Sequence, residues 1–202
     1  MFMKIAETQN HGTVFFERAS IDKTIETFKM TDEQQIKTFI RNSVVTSGCM
    51  VARITPEVLA AFAATPIVAE LYSNLKEGYM ITLIDDFLER HSEKEVEAII
   101  WHEMGHIAKN HLVTMPKETL ECGGLRIIQQ KEKEFEADDF AMCEVMPVHL
   151  HSGLTKIPNG IADVLDKYNR YLKAPMPRQE FLDTVFNVPE FQERLTRIKA
   201  RC

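Results

Sequence analysis

Five residues, His102-Glu103-Met104-Gly105-His106, constrain this chain more than any other segment, because they lie within a run patterned as one helix. Ser92-Glu93-Lys94-Glu95 is a capping box, with Ser at the N-cap and Glu three residues later, and the spacing predicts about five turns of helix from there to His111. At about 100° per residue, positions 102 and 106 fall about 40° apart on one face and one turn apart. Both imidazoles can therefore reach a single ion about 2.0–2.1 Å from each nitrogen. Glu103 falls in line with Val96, Ile100 and Ile107, the apolar stripe, which places its carboxylate partly buried beside that ion. A lone buried carboxylate is costly, and a water that it can deprotonate compensates.

Such a site needs a third ligand. His111 is nearest in sequence, but on a continuing helix it lies about 180° around from His102 and cannot join the same ion. The longer pattern HExxHxxGxxH also fails, since Lys109 and Leu112 stand at its glycine and final histidine positions. A second long helix is expected over about Leu125 to Met146, closed by Pro147. Its residues Glu134, Ala137, Asp138, Ala141 and Val145 share one face, on which two acids stand among small residues. Small residues allow close approach to another helix, and two acids there need a cation or hydrogen-bond donors. Glu134 as third zinc ligand, with Asp138 accepting the free N–H of a ligand histidine, meets both needs. The competing view of Lys131 to Asp139 is a solvated charged face, and Glu136 and Asp139 are assigned to that exposed side.

The remainder of the chain frames this pair of helices. Lys4 to Arg18 reads as a hairpin turning at Asn10-His11-Gly12, and Tyr79 to Ile84 as a strand whose edge could take an extended peptide. Further helices are expected over Thr31 to Val45, from Thr55 to before Pro66, Pro66 to Lys76, Pro158 to Tyr171, Arg178 to Phe186 and Pro189 to Lys199. At 202 residues the expectation is one α+β, predominantly α domain over 1–202, with 79–202 as the core and 1–78 of unassigned role. A net charge of -6 builds in no general attraction to nucleic acid. The N-terminal residues lack the apolar run of a signal peptide, and no apolar window approaches the roughly 20 residues of a membrane span. Cys49, Cys122, Cys143 and Cys202 show no CxxC spacing and suit a reducing compartment, so the expected location is cytoplasmic.

These residues resemble gluzincins, zinc peptidases with HExxH and a downstream glutamate ligand. Ile81-Thr82-Leu83-Ile84, Ser92 through Ala98, His102 to Ile107 followed by His111, and Glu134-Phe135-Glu136-Ala137-Asp138 look like the HtpX and CAAX-prenyl-protease family. So does Pro189 followed five residues later by Arg194 and Leu195, although Val188 stands where that family has a histidine. Glu134 to Ala141 with Val145-Met146-Pro147 resembles the ImmA/IrrE family. The resemblance implies a zincin-like fold with an HExxH active-site helix, and an oxyanion-stabilising role for the missing histidine.

The expected function is hydrolysis of peptide bonds in a protein or peptide substrate, as an endopeptidase with one Zn²⁺ per chain. His102, His106 and Glu134 are the expected ligands, water takes the fourth position, and Glu103 is the general base. With Val188 unable to donate a hydrogen bond, the candidate oxyanion donors are His149, His151, Tyr168 and Arg194. The histidine pair is preferred, on a loop turning back after Pro147. The rivals are a catalytically silent zincin-like binding module and a regulatory protease that cleaves a repressor, as the ImmA resemblance implies.

Overall fold

The computed structural model describes residues 3–8, 12–20, 49–54, 78–111, 131–175, 177–185 and 189–202. Strands β1 (Met3–Thr8) and β2 (Gly12–Ala19) form the antiparallel hairpin expected from Asn10 to Gly12, with Lys4 opposite Phe15 and Thr8 opposite Gly12. β3 is Cys49–Ile54, and β4 is Gly78–Ile84. The sheet order is β1-β2-β4-β3. β4 runs parallel to β2, with Val14 opposite Tyr79, and antiparallel to β3, with Val51 opposite Ile81.

This order corrects one expectation. The Tyr79 to Ile84 segment is an interior strand hydrogen-bonded on both sides, so its edge cannot receive a peptide. Its β-branched run supplies the physical reason: Ile81 and Ile84 are buried together with Val14 of β2, and a strand that apolar is better covered by neighbours. The sheet edge beside the helices is β3.

Beyond the sheet the described chain is mostly helical. A single turn, α1 (Asp85–Leu88), leads into α2 (Glu93–Ala108). Helices α3 (Lys131–Glu144) and α4 (Pro147–Tyr168) follow, then α5 (Arg178–Val185) and α6 (Pro189–Lys199). The predicted helices within residues 31–76, and the start of the second long helix at 125–130, lie outside the described residues. α2 packs against β3, α3 and α4, and its Ala98, Ile99 and Ile107 share one buried cluster with Leu150 and Leu154 of α4. No described helix is long and apolar enough to cross a membrane.

The α3–α4 junction departs from the sequence pattern. Pro147 does not begin a loop; it is the first residue of α4, where its missing N–H costs nothing and its fixed φ suits the helix. The same helix runs through Pro158 without a break at the expected start. Leu150, Leu154, Ile157 and Leu165 bury one continuous stripe on both sides of that proline, and this burial outweighs one lost backbone bond.

The capping box forms as the spacing predicts: the Ser92 side chain accepts from the Glu95 N–H, and Glu95 accepts from the Ser92 N–H at 2.8 Å. Glu95 also accepts from Ser152 at 2.6 Å and Lys156 at 2.7 Å, tying the start of α2 to α4. Burial alone pushes the Glu95 carboxyl up, but the bonds from Lys156, Ser152 and Ser92 outweigh it and pull it down to about 2. A depressed carboxylate stabilises the fold above its ordinary value of 4.5, and that contribution is lost as pH falls through about 2. Glu95→Gln should therefore lower unfolding stability by about 1–3 kcal/mol at pH 7, with the gap to the parent closing toward pH 2 in urea titrations. A gap of the same size at both pH values would contradict this anchoring role.

Candidate metal centre

The centre begins with a contact between two helices that only small residues permit. A Cβ built at Gly105 would lie 2.9 Å from both the Cα and the carbonyl oxygen of Ala137. Glycine at 105 therefore lets α2 and α3 touch backbone to backbone, with Ala137 and Ala141 fully buried in the seam. The residues flanking this contact are His102 and His106 on α2, and Glu134 and Asp138 on α3.

Their side chains converge. His102 Nε2 lies 3.1 Å from His106 Nε2 and 3.3 Å from one Glu134 oxygen, and His106 Nε2 lies 3.5 Å from the other. Two ligands about 2.0–2.2 Å from a tetrahedral ion stand about 3.3–3.5 Å apart, so the three donors approximate one face of such a coordination shell. They are the one group of three His, Cys, Asp or Glu donors so gathered among the described residues. Two imidazoles and a carboxylate, partly withdrawn from solvent, suit a divalent ion of the zinc type.

Around the donors lies an ionic cluster. Asp138 is fully buried; its Oδ1 is 2.9 Å from His102 Nδ1, and it accepts two 2.7 Å bonds from Nε and Nη2 of Arg194 on α6. Arg194 Nη1 also reaches Glu134 at 3.0 Å. Two carboxylates against one guanidinium leave one negative charge unbalanced, which a proton on His102 or a bound cation can answer. Burial and Arg194 push the His102 imidazole down, but hydrogen bonds to Asp138 and Glu134 outweigh them, and it is pushed up to about 9. Burial and the His102 charge pull His106 down to about 3, leaving it neutral and able to offer a lone pair. Burial raises the carboxyls of Glu134 and Asp138, but Arg194 and His102 hold both well below the usual carboxylate range.

The other candidates sit as follows. Glu103 is half-buried on α2, and its charge is felt by Arg194. Arg194 is at the centre, but its guanidinium engages Asp138 and Glu134. Tyr168 is fully buried and donates its hydroxyl to Asp86 at 2.7 Å, in a cluster with Lys167. His149 and His151 stand half-buried in the first two turns of α4; the expected loop over the cleft is helix, for the reason given for Pro147. Val188 lies outside the described residues.

His111 requires a correction. α2 stops at Ala108 rather than continuing to His111, because Asn110 adopts φ 55°. The Asn110 N–H bonds to the Ile107 carbonyl, and the His111 N–H to that of His106, the two bonds of a Schellman ending. The chain reverses, and His111 stands buried beside His106. The signal was Asn110 itself, an αL-tolerant residue directly after the periodic run. The carboxylate-pairing role of Arg194, contributed from 56 residues beyond Asp138, had no local signal.

The sequence profile of Peptidase family M48 matches residues 59–130, a little over a third of the chain, and this supports a zinc metallopeptidase family. The matched segment contains β4 and all of α2, with His102, Glu103 and His106, and stops before Glu134. No curated protein and no solved structure matches the chain.

The helix contact makes a prediction. Gly105→Ala should cost about 1–3 kcal/mol of stability through overpacking and weaken uptake of a divalent ion by separating His102 and His106 from Glu134. Thermal unfolding and ion titration together check it; parent-like values in both would show that the helices do not meet there.

Proposed function

We propose that this chain is a zinc-dependent metallopeptidase of zincin-like fold, in which His102, His106 and Glu134 hold one Zn²⁺. The reading rests above all on the 3.1–3.5 Å spacing of three donors from two helices. The M48 match over the HExxH segment suggests the same activity. Residues 79–202 form the core of a single unit in this reading, and the N-terminal strands complete its sheet through the β2–β4 pairing.

A bound zinc ion supplies Lewis acidity toward the scissile carbonyl and toward an attacking water. Glu103, next to His102 and half-buried, takes a proton from that water and delivers it to the leaving amine. Asp138 accepts the His102 Nδ1–H, which turns Nε2 toward the ion. Arg194 holds Asp138 and Glu134 in place and keeps two buried carboxylates from repelling one another. The extended substrate pairs with β3, the sheet edge against which α2 packs, rather than with interior β4. The substrates are proteins or peptides cleaved internally, and the setting is cytoplasmic.

One observation favours the silent binding module as an alternative: Arg194 pairs with both Glu134 and Asp138, and His102 lies against the same two carboxylates, so the cluster is largely balanced without any ion. A single experiment separates the two. The purified parent should carry about one zinc and cleave members of an unbiased peptide library, whereas Glu103→Gln should keep zinc and lose at least 10²–10⁴-fold in rate. Equal product from parent and Glu103→Gln would remove Glu103 as base. Zinc occupancy unaffected by Glu134→Ala would remove the ligand assignment.

A further inference from the structure

The end of α2 carries an arrangement that the proposed chemistry does not use. His111 Nδ1 lies 3.1 Å from His106 Nδ1, the rings meeting at 70° with centroids 5.2 Å apart. On its other side, His111 Nε2 lies 2.9 Å from a carboxylate oxygen of Glu136 on α3. Glu136 is largely exposed, while His111 is buried. The three groups form a chain from solvent to the imidazole that offers Nε2 to the ion.

Hydrogen-bond polarity gives this chain one assignment when His111 carries a single ring proton. An ionised carboxylate can only accept, so His111 carries its proton on Nε2 and donates to Glu136. With its one proton on Nε2, His111 presents a bare Nδ1. Its 3.1 Å neighbour must be the donor, so His106 carries its proton on Nδ1 and leaves Nε2 bare. That bare nitrogen faces His102 Nε2 and Glu134, where the ion would sit.

We infer that Glu136 and His111 form a positioning relay that locks His106 in the Nδ1-protonated tautomer and so presents its Nε2 lone pair for metal. The inference rests on the proposed metal site, in which His102 has Asp138 for the same purpose. The two ligand histidines are thus oriented by different devices: His102 by a buried carboxylate directly, and His106 by a carboxylate acting through a second imidazole. The Schellman reversal at Asn110 makes the second device possible, because a helix continued to His111 would carry that ring to the opposite face.

The test is ¹⁵N-histidine NMR on the metal-free full-length chain at pH 8, with zinc affinity measured by chelator competition. Spectra of the parent should show His106 protonated at Nδ1 and His111 at Nε2. Glu136→Ala, a substitution at an exposed side chain, should release the His111 tautomer and weaken zinc binding. His111→Phe should shift His106 toward the Nε2-protonated form and weaken zinc binding about 10–100-fold, while His111→Gln, which restores a carbonyl acceptor, should recover part of that loss. His106 protonated at Nε2 in the parent would overturn the relay, as would zinc affinity unchanged in both Glu136→Ala and His111→Phe. The tautomers are read without metal, so a parent that binds no zinc contradicts the metal site while the spectrum still decides the relay.

Discussion

Everything at the centre depends on how closely α2 and α3 approach. Imidazoles reach a few ångströms from their own helix and a glutamate little further, so three donors from two helices converge only if the backbones nearly touch. Gly105 and Ala137 provide that contact, and the alanines on either side of Asp138 keep the seam narrow. A bulkier residue at either position would push the carboxylates of α3 away from the imidazoles of α2 before any ligand was altered. The middle of the HExxH segment is thus part of the packing, and its two histidines are the proposed ligands.

Close approach creates an electrostatic difficulty that the surrounding residues resolve. Glu134 and Asp138 stand one turn apart on a face that solvent barely reaches, and two carboxylates so placed repel. Arg194 answers one of them with a bidentate pair to Asp138 and a further contact to Glu134. Hydrogen bonds to Asp138 and Glu134 push the His102 imidazole up to about 9, so a proton there can answer the remaining negative charge when no cation is present. A metal ion would take the place of that proton, so the cluster is consistent with a site that binds a cation and releases a proton. α6 therefore contributes to the centre although none of its residues is a proposed ligand. Its Arg197 reinforces the attachment to α3 by pairing with Asp139 and lying over the Phe135 ring.

Local features of the fold were legible in the sequence. Ser92 and Glu95 marked the start of α2, the hairpin turn was marked by Asn10 and Gly12, and the shared face of Glu134, Ala137, Asp138 and Ala141 followed from helical spacing. What was not legible depended on context. Pro147 can end one helix or begin the next, and only the buried stripe of α4 decides between them. The interior position of β4 follows from pairing with strands distant in sequence, which alternation alone does not encode. His111 was misplaced because a helix was extended through Asn110, where a single positive φ redirects the chain. Arg194 stood out through a family resemblance, but its partners became visible only once α6 was placed against α3.

Whether two histidines of α2 and one glutamate of α3 share a zinc ion can be read from X-ray absorption at the zinc edge of the loaded protein. Two imidazole nitrogens with one or two oxygens, all at about 2.0–2.2 Å, are expected, with a spectrum that changes when Glu134 is replaced by alanine. Sulfur at about 2.3 Å, which would assign the ion to cysteines such as the exposed Cys143 and Cys202, or a spectrum indifferent to Glu134, would contradict it.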